Sequence, residues 1–267
     1  MEASNTLEIA FIQSDLIWEN PIKNREKFTS KIKQIEQPVD LIILPEMFTT
    51  GFTMNAKKFA ELMNGETVLW MQEIAASKKA ALVGSIIIIE NDSYYNRLLF
   101  VYPSGKIAFY DKKHTFSLAG EGEVFSSGNK KCILKYKGWK ICPLICYDLR
   151  FPVWARNTEN YDLLLYIANW PKRRINAWDA LLKARAIENM SYTIGVNRVG
   201  KDIHNYEYTG NSIALDCLGE HLSNTAETKA LTTGNEIIIS KTLCKKSQDT
   251  LRNKFLFLKD RDTFSFE

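Results

Sequence analysis

The chain has 267 residues, of which 45% are hydrophobic and 25% charged, and its formal net charge is +4. This composition is typical of a globular protein with a sizeable core and excludes a disordered chain. The basic residues are spread along the chain and form no arm or stripe, which argues against nucleic acid as a partner. The longest apolar runs are far shorter than the roughly 20 residues of a membrane span, so we expect no membrane segment.

The termini and the cysteines add two further expectations. The N-terminus has neither a basic segment nor a long apolar one, so we expect no secretory signal and a cytoplasmic location. The five cysteines are odd in number and lack the paired spacing of a zinc site. This argues against a disulfide framework and against a structural metal site, and it leaves a free thiol.

Apolar patterning predicts alternating strands and helices in the first half of the chain. Asn20 followed by Pro21 is a typical helix start, because Asn caps the first turn and Pro needs no hydrogen-bond acceptor there. Unbroken apolar runs indicate strands that are buried on both faces. The predicted elements are a strand at 7–13, a helix at 21–35, a strand at 40–44, a helix at 66–79, a strand at 80–89, and a hairpin of 96–102 and 106–110.

The same alternation of strands and helices continues in the second half of the chain. It predicts one layered α/β sandwich over residues 1–267. The predicted elements are a strand at 140–146, a helix at 149–156, a strand at 161–168, a helix at 175–190, and β segments at 192–198, 208–216 and 236–240. A turn at Leu218-Gly219 is expected to join the last two. The aromatic C-terminal tail, about 253–267, has no predicted partner element, and we expect it at a subunit interface.

The sharpest local feature lies at residues 145–152, where a buried strand ends at Cys146 and a helix begins almost at once. Such a strand-turn-helix elbow lifts a side chain to a helix N-terminus, where the dipole favours a thiolate and backbone N–H groups can hold an oxyanion. An isolated cysteine is more often buried and inert. That reading applies to the other four, which are Cys132, Cys142, Cys217 and Cys244.

A nucleophilic thiol needs a base, and the residues leave two candidates open. Glu46 follows the buried strand at Leu44-Pro45, where desolvation is expected to raise its pKa to a useful value. Taken alone, it also fits an exposed loop acid. His114 could form a Cys-His pair, or it could be a structural donor beside Lys112.

The order Glu46, Lys112, Cys146, each with its flanking residues, resembles the nitrilase or carbon-nitrogen hydrolase superfamily. Three motifs carry this resemblance: Leu44-Pro45-Glu46, the segment 110–116 (YDKKHTF) and the segment 145–152 (ICYDLRFP). The sequence departs from the family pattern at two positions. Thr115 replaces the family's usual Leu, and Pro143 implies a bulge or an unpaired position in its strand.

The resemblance implies a four-layer α-β-β-α sandwich that forms a homodimer. It also implies a Glu46-Lys112-Cys146 triad that works through a thioester, without metal or organic cofactor. A second family glutamate matches Glu121 by its distance to Ser127-Gly128, with Glu123 as its rival. The oxyanion would be held by Lys112 and by the backbone N–H of Tyr147.

Further segments point to one branch of the superfamily. ANWP at 168–171, RAIEN at 185–189, NRVG at 197–200 and FLKDRDTF at 257–264 resemble the bacterial omega-amidases. This implies hydrolysis of the ω-amide of small 2-oxo acids, 2-oxoglutaramate and 2-oxosuccinamate. The alternatives are a nitrilase, an N-carbamoyl amino acid amidohydrolase, and a catalytically silent dimeric binding protein.

Several residues near the motifs are candidates for binding a substrate. Three aromatic residues are expected to line the pocket: Phe48, Phe116 and Trp170. Arg173 or Arg174 could bind a distal carboxylate, because arginine binds carboxylates bidentately.

Other polar residues near the motifs are read as structural. We expect Asp148 and Arg150 to form a buried pair that fixes the elbow. A polar network on the predicted helix is expected to comprise Arg185, Glu188 and Asn189.

Overall fold

The computed structural model describes residues 5–222 and 229–265. Within these ranges the strands are β1 (Thr6–Gln13), β2 (Leu41–Ile43), β3 (Ala81–Glu90), β4 (Ser93–Val101), β5 (Ile107–Asp111), β6 (Leu134–Tyr136), β7 (Trp139–Ile145), β8 (Leu163–Ala168), β9 (Tyr192–Asn197), β10 (Val199–Lys201), β11 (Glu207–Thr209), β12 (Ile213–Leu215), β13 (Lys229–Thr233) and β14 (Glu236–Cys244). The α-helices are α1 (Pro21–Lys33), α2 (Ala56–Phe59), α3 (Glu66–Lys78), α4 (Glu121–Val124), α5 (Pro152–Ala155), α6 (Ile175–Asn189) and α7 (Lys245–Phe255).

Two sheets dominate the described part of the chain. One has the strand order β13-β14-β1-β2-β3-β4-β5, and the other has the order β12-β9-β8-β7-β6. In the first, β1, β2 and β3 are parallel, and in the second, β7, β8 and β9 are parallel. Parallel strands of this kind end at a common edge, where the following loops can meet.

Alternation along β1 shows how the layers are built. Leu7, Ile9 and Phe11 belong to the core that contains the residues of the second sheet, whereas Ala10 and Ile12 belong to the core under α1 and α3. Side chains on a strand point alternately to its two faces, so β1 separates these two cores. On the far side of the second sheet, α6 packs against β9. The predicted four-layer α-β-β-α sandwich is therefore confirmed.

The elements predicted for the first half are confirmed to within a few residues. The start of α1 is formed as expected, because Asn20 Oδ1 accepts a hydrogen bond from the backbone N–H of Lys23 at 3.1 Å. Pro143 lies in β7 without a bulge, since its register with β8 is continuous. The pairing with β6 ends at Ile141, so Pro143 lies beyond the reach of that strand.

The helix predicted at 149–156 is wrong in its bounds. A 3-10 turn covers Cys146–Arg150 and the short helix α5 follows. Pro152 divides them, because proline has no N–H to donate to the preceding turn and fits best as the first residue of a new helix.

The strand predicted at 208–216 is also wrong. It is divided into β11 and β12, which belong to different sheets. Gly210 separates them with a φ of +77°, and a Cβ there would lie 2.0 Å from Gln13 Oε1, so any other residue would strain the backbone and displace Gln13.

The end of the chain differs from the sequence prediction in two ways. The turn at Leu218-Gly219 leads back to Leu215 through a bridge with His221 and does not join β12 to β14, whose hairpin partner is β13. Sequence patterning also missed α7, together with β6, β10 and β13. The last residues of the tail, including Phe266, lie outside the described residues, and the role of the tail at an interface stays a prediction.

None of the described helices combines the length and the apolar character that are needed to cross a membrane.

The contact between α6 and β9 depends on a glycine. A Cβ at Gly195 would lie 2.4 Å from Leu182 Cδ1 and 2.7 Å from Trp178 Cζ2, both on α6. We expect Gly195→Ala to lower the free energy of unfolding by about 1–3 kcal/mol, because α6 would have to move away from the sheet. Urea denaturation measures this loss of stability. As a control, the slope of the free energy of unfolding against urea concentration should stay unchanged. An unaltered unfolding midpoint would contradict the tight packing.

Candidate active site

The three residues of the predicted triad, and Asn169, which was not predicted, each follow the carboxyl end of a strand. Glu46 follows β2, Lys112 follows β5 and Cys146 follows β7, while Asn169 follows β8. The first two belong to one sheet and the last two to the other. The packing of the two sheets therefore brings together side chains that are up to 123 residues apart, as in the contact of Glu46 with Asn169.

Glu46 is completely buried and every acceptor position has a donor. Its Oε1 accepts from Lys112 Nζ at 2.9 Å and from Asn96 Nδ2 at 2.8 Å. Its Oε2 accepts from the backbone N–H of Asn169 at 2.8 Å, and Asn169 Nδ2 also donates to the Glu46 carbonyl at 2.7 Å. Glu46 is therefore a buried carboxylate whose position is fixed by hydrogen bonds, and it is not an exposed acidic residue on a loop.

Lys112 extends the pairing of β5 with β4 by one residue, since its N–H donates to the carbonyl of Asn96. The next pair of the ladder, Arg97 with Asp111, forms an ion pair on the opposite face at 2.6 Å. Because side chains alternate between the faces of a sheet, Asn96 and Lys112 both point towards Glu46. The local strand pattern thus orients the lysine.

The second glutamate is Glu121. Both of its carboxylate oxygens lie within 3.0 Å of Lys112 Nζ, and Oε2 also accepts from the backbone N–H of Phe116 at 2.5 Å. Its side chain is fully buried, whereas the rival Glu123 is exposed. The geometry favours Glu121 as the family's second glutamate.

Cys146 lies at a strained elbow. Its φ is +44°, in the left-handed region that residues other than glycine rarely adopt. The 3-10 turn that starts here leaves the N–H of Tyr147 without an acceptor in the helix, because the first residues of any helix lack one. The elbow thus presents a thiol and a free backbone donor to the same cavity, which Cys146 and Tyr147 both line.

Asp148 holds the elbow against the lysine segment. Its Oδ2 accepts from the hydroxyl of Tyr110 at 2.8 Å and from the N–H of Ile145 at 3.0 Å. Its Oδ1 lies 2.7 Å from His114 Nδ1 and accepts from the His114 N–H at 3.0 Å. The His114 ring is stacked on Phe151 with 3.6 Å between the ring centres. His114 is therefore committed to this structural contact, and the alternative of a Cys-His pair is not supported.

Asp148 and Arg150 were expected to pair with each other, and this is wrong. Asp148 is fully buried with the partners just described, while Arg150 is exposed and lies over the ring of Trp170 at 5.1 Å. The helix network is present in part. Arg185 donates to Glu188 and to the carbonyl of Leu149, which connects α6 to the elbow, whereas Asn189 Oδ1 accepts from the N–H of Asn157 at 2.8 Å instead.

Charge and burial set the protonation of the buried cluster. Burial alone would lower the pKa of Lys112, but the carboxylates of Glu121 and Glu46 outweigh burial and raise that pKa above its usual value. Lys112 therefore keeps its charge. Burial raises the pKa of Glu121, and the ammonium of Lys112 opposes the rise.

The thiol of Cys146 has a pKa well above its usual value. Burial is the largest cause and the negative charge of Glu46 is the next, while Lys112 acts in the opposite direction. The expectation that the elbow helix favours a thiolate is therefore wrong, because a five-residue 3-10 turn is outweighed by desolvation and by two carboxyl groups. The resting form carries its proton on sulfur.

Lys112 and Cys146 line a cavity of about 620 Å³. Of the residues predicted to contact a substrate, Phe116, Trp170, Arg173 and Arg174 line it. Phe48 does not, because it is fully buried between Phe28 and Trp70 in the core under α1 and α3. Phe52 lines the cavity in its place, with its ring centre 5.2 Å from Lys112 Nζ.

The sequence reading missed Asn96 and Asn169, which together hold both oxygens of Glu46. A signal was present, since each is a polar residue inside or directly after an apolar strand run. Among the described residues, no group of three or more His, Cys, Asp or Glu side chains could hold a metal ion.

Removing the ammonium of Lys112 tests its place in the cluster. Lys112→Met would leave two buried carboxyl groups without a cation, and we expect the free energy of unfolding to fall by about 3–5 kcal/mol near neutral pH. The pKa of Glu121, already raised by burial, would rise further. The folded variant would then take up a proton as the pH falls. Its loss of stability relative to the wild type should therefore become smaller as the pH is lowered from about 7 to about 5.

Urea denaturation at both pH values measures this deficit. Lys113→Met is the matched control, because it removes the neighbouring charge, which lies over the Trp154 ring and outside the buried cluster. It should show little loss and no such pH dependence. An equal deficit of Lys112→Met at both pH values would contradict the proposed electrostatics.

Comparison with known proteins identifies the family. The carbon-nitrogen hydrolase family model matches residues 8–240. The omega-amidase YafV of Yersinia enterocolitica is 45% identical over 216 residues, which cover 81% of this chain and 84% of that protein. The omega-amidase YafV of Escherichia coli K12 is 40% identical over 258 residues, which cover 97% and 98%.

A solved structure agrees over the whole fold. The CN-hydrolase superfamily protein of Xanthomonas campestris, which was crystallised with an arsenic adduct in its active site, has a TM-score of 0.93 and 35% identity. The match covers 99% of this chain and 100% of that one. On the family match and these relatives, the chain belongs to the carbon-nitrogen hydrolase family and is a hydrolase.

Proposed function

We propose that this protein is a cysteine-dependent omega-amidase. It would release ammonia from the ω-amide of short 2-oxo dicarboxylic acid monoamides, such as 2-oxoglutaramate and 2-oxosuccinamate. The observation that carries the proposal is the buried cluster in which Lys112 Nζ lies 2.9 Å from Glu46 and 2.9 Å from Glu121, beside the thiol of Cys146. Amide hydrolysis needs a nucleophile, a proton carrier and a positive charge at the carbonyl oxygen, and this cluster contains all three.

In the first half-reaction, Glu46 takes the proton of Cys146 as the sulfur attacks the amide carbon. A base is required because the resting thiol keeps its proton. The carbonyl oxygen becomes negative and is stabilised by the Lys112 ammonium and by the Tyr147 N–H. When the carbon–nitrogen bond breaks, Glu46 gives its proton to the departing nitrogen, so ammonia leaves and a thioester remains.

In the second half-reaction, water attacks the thioester. Glu46, now ionised again, takes a proton from the water, and the same two donors stabilise the second oxyanion. The carbon–sulfur bond then breaks, the thiol recovers its proton and the carboxylic acid product leaves. Glu121 would act through Lys112, whose ammonium it holds towards the reacting carbonyl.

The substrate class rests on two lines of support. Relatives carry the name omega-amidase, and a protein of Bacillus subtilis named 2-oxoglutaramate amidase is 32% identical over 220 residues, covering 80% of this chain and 85% of that protein. In addition, the cavity is lined by arginines, which suit a substrate whose far end is a carboxylate.

The decisive measurement is ammonia release from 2-oxoglutaramate, with glutamine, an aliphatic nitrile and an N-carbamoyl amino acid assayed alongside. We expect 2-oxoglutaramate to have the highest kcat/KM. Cys146→Ala should fold normally and release no ammonia, whereas Cys132→Ala, which alters a thiol outside the cavity, should keep its activity.

Two results would contradict parts of this proposal. Activity confined to the nitrile or the N-carbamoyl compound would overturn the substrate class and leave the roles of Glu46, Lys112 and Cys146 intact. Comparable turnover by Cys146→Ala would overturn the nucleophile itself.

The role of Glu46 as base makes a separate prediction about thiol alkylation. If Glu46 removes the proton of Cys146, Glu46→Gln should slow the reaction of Cys146 with iodoacetamide by about 10²-fold or more near neutral pH. If Cys146 were already a thiolate, losing a nearby negative charge would leave its reaction as fast or make it faster. Mass spectrometry of the labelled protein measures the rate at this cysteine. Glu123→Gln, which removes an exposed carboxylate close in sequence to Glu121, is the matched control and should label at the original rate.

A further inference from the structure

Asn96 belongs to the buried cluster, although it lies in an apolar strand. Leu98 and Phe100 follow it on the same face of β4 and pack in the core between the two sheets. Asn96 is 1% exposed, and its Nδ2 donates to Glu46 Oε1 at 2.8 Å and lies 3.4 Å from Glu121 Oε1. One amide nitrogen thus faces an oxygen of each carboxyl group.

The amide oxygen of Asn96 shows what the residue contributes. This Oδ1 is buried and has no hydrogen-bond donor among the described residues. A buried polar atom without a partner is costly, so an apolar side chain would suit this position of the core better. The contribution of asparagine here therefore lies in its two N–H donors, which face the carboxyl groups.

The same two carboxyl oxygens are also held by Lys112. Its Nζ lies 2.9 Å from Glu46 Oε1, 3.0 Å from Glu121 Oε1 and 2.9 Å from Glu121 Oε2. An ammonium group has three N–H donors, and these three acceptors occupy all of them. In the resting site, Lys112 consequently has no N–H left for a substrate oxygen.

The proposed mechanism requires one of these donors to move. Lys112 lines the cavity, but it stabilises the negative oxygen of the substrate only after one N–H has turned away from a carboxyl oxygen. Glu46 is the acceptor that can release it. When Glu46 takes the proton of Cys146, its carboxyl group loses its charge and becomes a weaker acceptor. Asn96 Nδ2 then remains as a donor to Glu46 Oε1.

We propose that Asn96 is a positioning residue, which keeps Glu46 Oε1 hydrogen-bonded while Lys112 turns to the substrate oxygen. This inference rests on the proposed amidase function and deepens it. Asn96 does not line the cavity, so it acts on the reaction only through Glu46 and Lys112. Without Asn96, the movement of Lys112 would leave a buried carboxyl oxygen without a donor, and the transition state would bear that cost.

Asn96→Leu tests this role, because it removes both donors and keeps nearly the same volume. We expect kcat for 2-oxoglutaramate, expressed per active site, to fall by about 10- to 100-fold, since the loss arises when the oxyanion forms. KM should stay unchanged, because an interaction made only in the transition state lowers kcat and kcat/KM equally. Mass spectrometry of iodoacetamide-labelled Cys146 counts the active sites.

Asn157→Leu is the matched control. Asn157 is an equally buried asparagine, but its amide donates to the carbonyls of Tyr161 and Asn189, and it does not line the cavity. This variant should lower the free energy of unfolding and leave kcat per active site unchanged. An equal fall of kcat in both variants would mean a purely structural role for Asn96 and would overturn the proposal.

Asn96→Asp is a second variant of the same shape, which covers the case in which leucine prevents folding. Its carboxyl group donates when it is protonated and only accepts when it is ionised. The titratable groups that face position 96 are Glu46 after β2, Glu121 on α4 and Lys112 after β5. Burial and the two carboxyl groups favour the protonated form, and Lys112 opposes it.

The pH dependence of Asn96→Asp follows from this balance. Its kcat relative to the wild type should rise as the pH is lowered from about 8.5 to about 6, because the protonated form restores a donor to Glu46. Steady-state kinetics over this range measure the ratio. A ratio that falls as the pH is lowered would overturn the role of position 96 as a donor.

A reactive aldehyde gives a readout that needs no turnover. 5-Oxopentanoate carries an aldehyde where a monoamide of the same length carries its amide. When Cys146 Sγ bonds to the aldehyde carbon, the thiol proton passes to Glu46 and the aldehyde oxygen becomes negative, as in the transition state. By calorimetry, Asn96→Leu should weaken binding of this aldehyde by about 10-fold or more and leave binding of glutarate, which cannot react, unchanged.

The outcomes separate this inference from the proposed function. An unchanged kcat per active site in Asn96→Leu would overturn the role of Asn96 and leave the amidase function standing. Weaker binding of both 5-oxopentanoate and glutarate would also overturn that role, since the whole cavity would then be disturbed. If the wild type hydrolyses no amide but Asn96→Leu weakens binding of the aldehyde alone, the role of Asn96 is supported and the amidase function is overturned.

Discussion

The ammonium group of Lys112 lies between two carboxyl groups in a part of the protein from which water is excluded. Taking three ionisable groups out of water is costly, several kcal/mol per ion, and the cost is offset only if the geometry supplies hydrogen bonds to each of them. Here Glu46 has donors on both oxygens, and Glu121 has Lys112 and a backbone N–H. The remaining structure can be understood as the frame that holds this cluster.

The frame comes from both sheets. Lys112 is oriented by its pairing with β4, and Asn169 reaches Glu46 from the end of β8 in the facing sheet. The elbow is attached to the lysine segment through Asp148, whose four contacts connect Tyr110, His114 and Ile145. The strained backbone of Cys146 is therefore held from two sides. Strain of this kind persists only where the surroundings determine the conformation, and it is common at functional sites.

The charged groups of the site affect both the thiol and the cavity. The buried cluster raises the pKa of the Cys146 thiol, so the proposed mechanism needs a base, for which Glu46 is the candidate. The same cavity is also lined by Arg150, Arg173 and Arg174, which add positive charge to it.

The sequence by itself determined the fold class and the candidate catalytic residues. Periodicity predicted most strands and long helices, because each of these segments buries one face or both, and the motifs around Glu46, Lys112 and Cys146 identified the family. It failed where local pattern is a weak guide: at Pro152, which divides a helix, at Gly210, which divides a strand, and at α7.

Only the tertiary structure decided which side chains meet. The choice of Glu121 over Glu123, the partners of Asp148, the burial of Phe48 and the positions of Asn96 and Asn169 all depend on contacts between segments that are distant in the chain. The protonation of Cys146 depends on the same contacts. Its pKa follows from desolvation and from the charges of Glu46, Lys112 and Glu121, and no local pattern around residue 146 records where those residues lie.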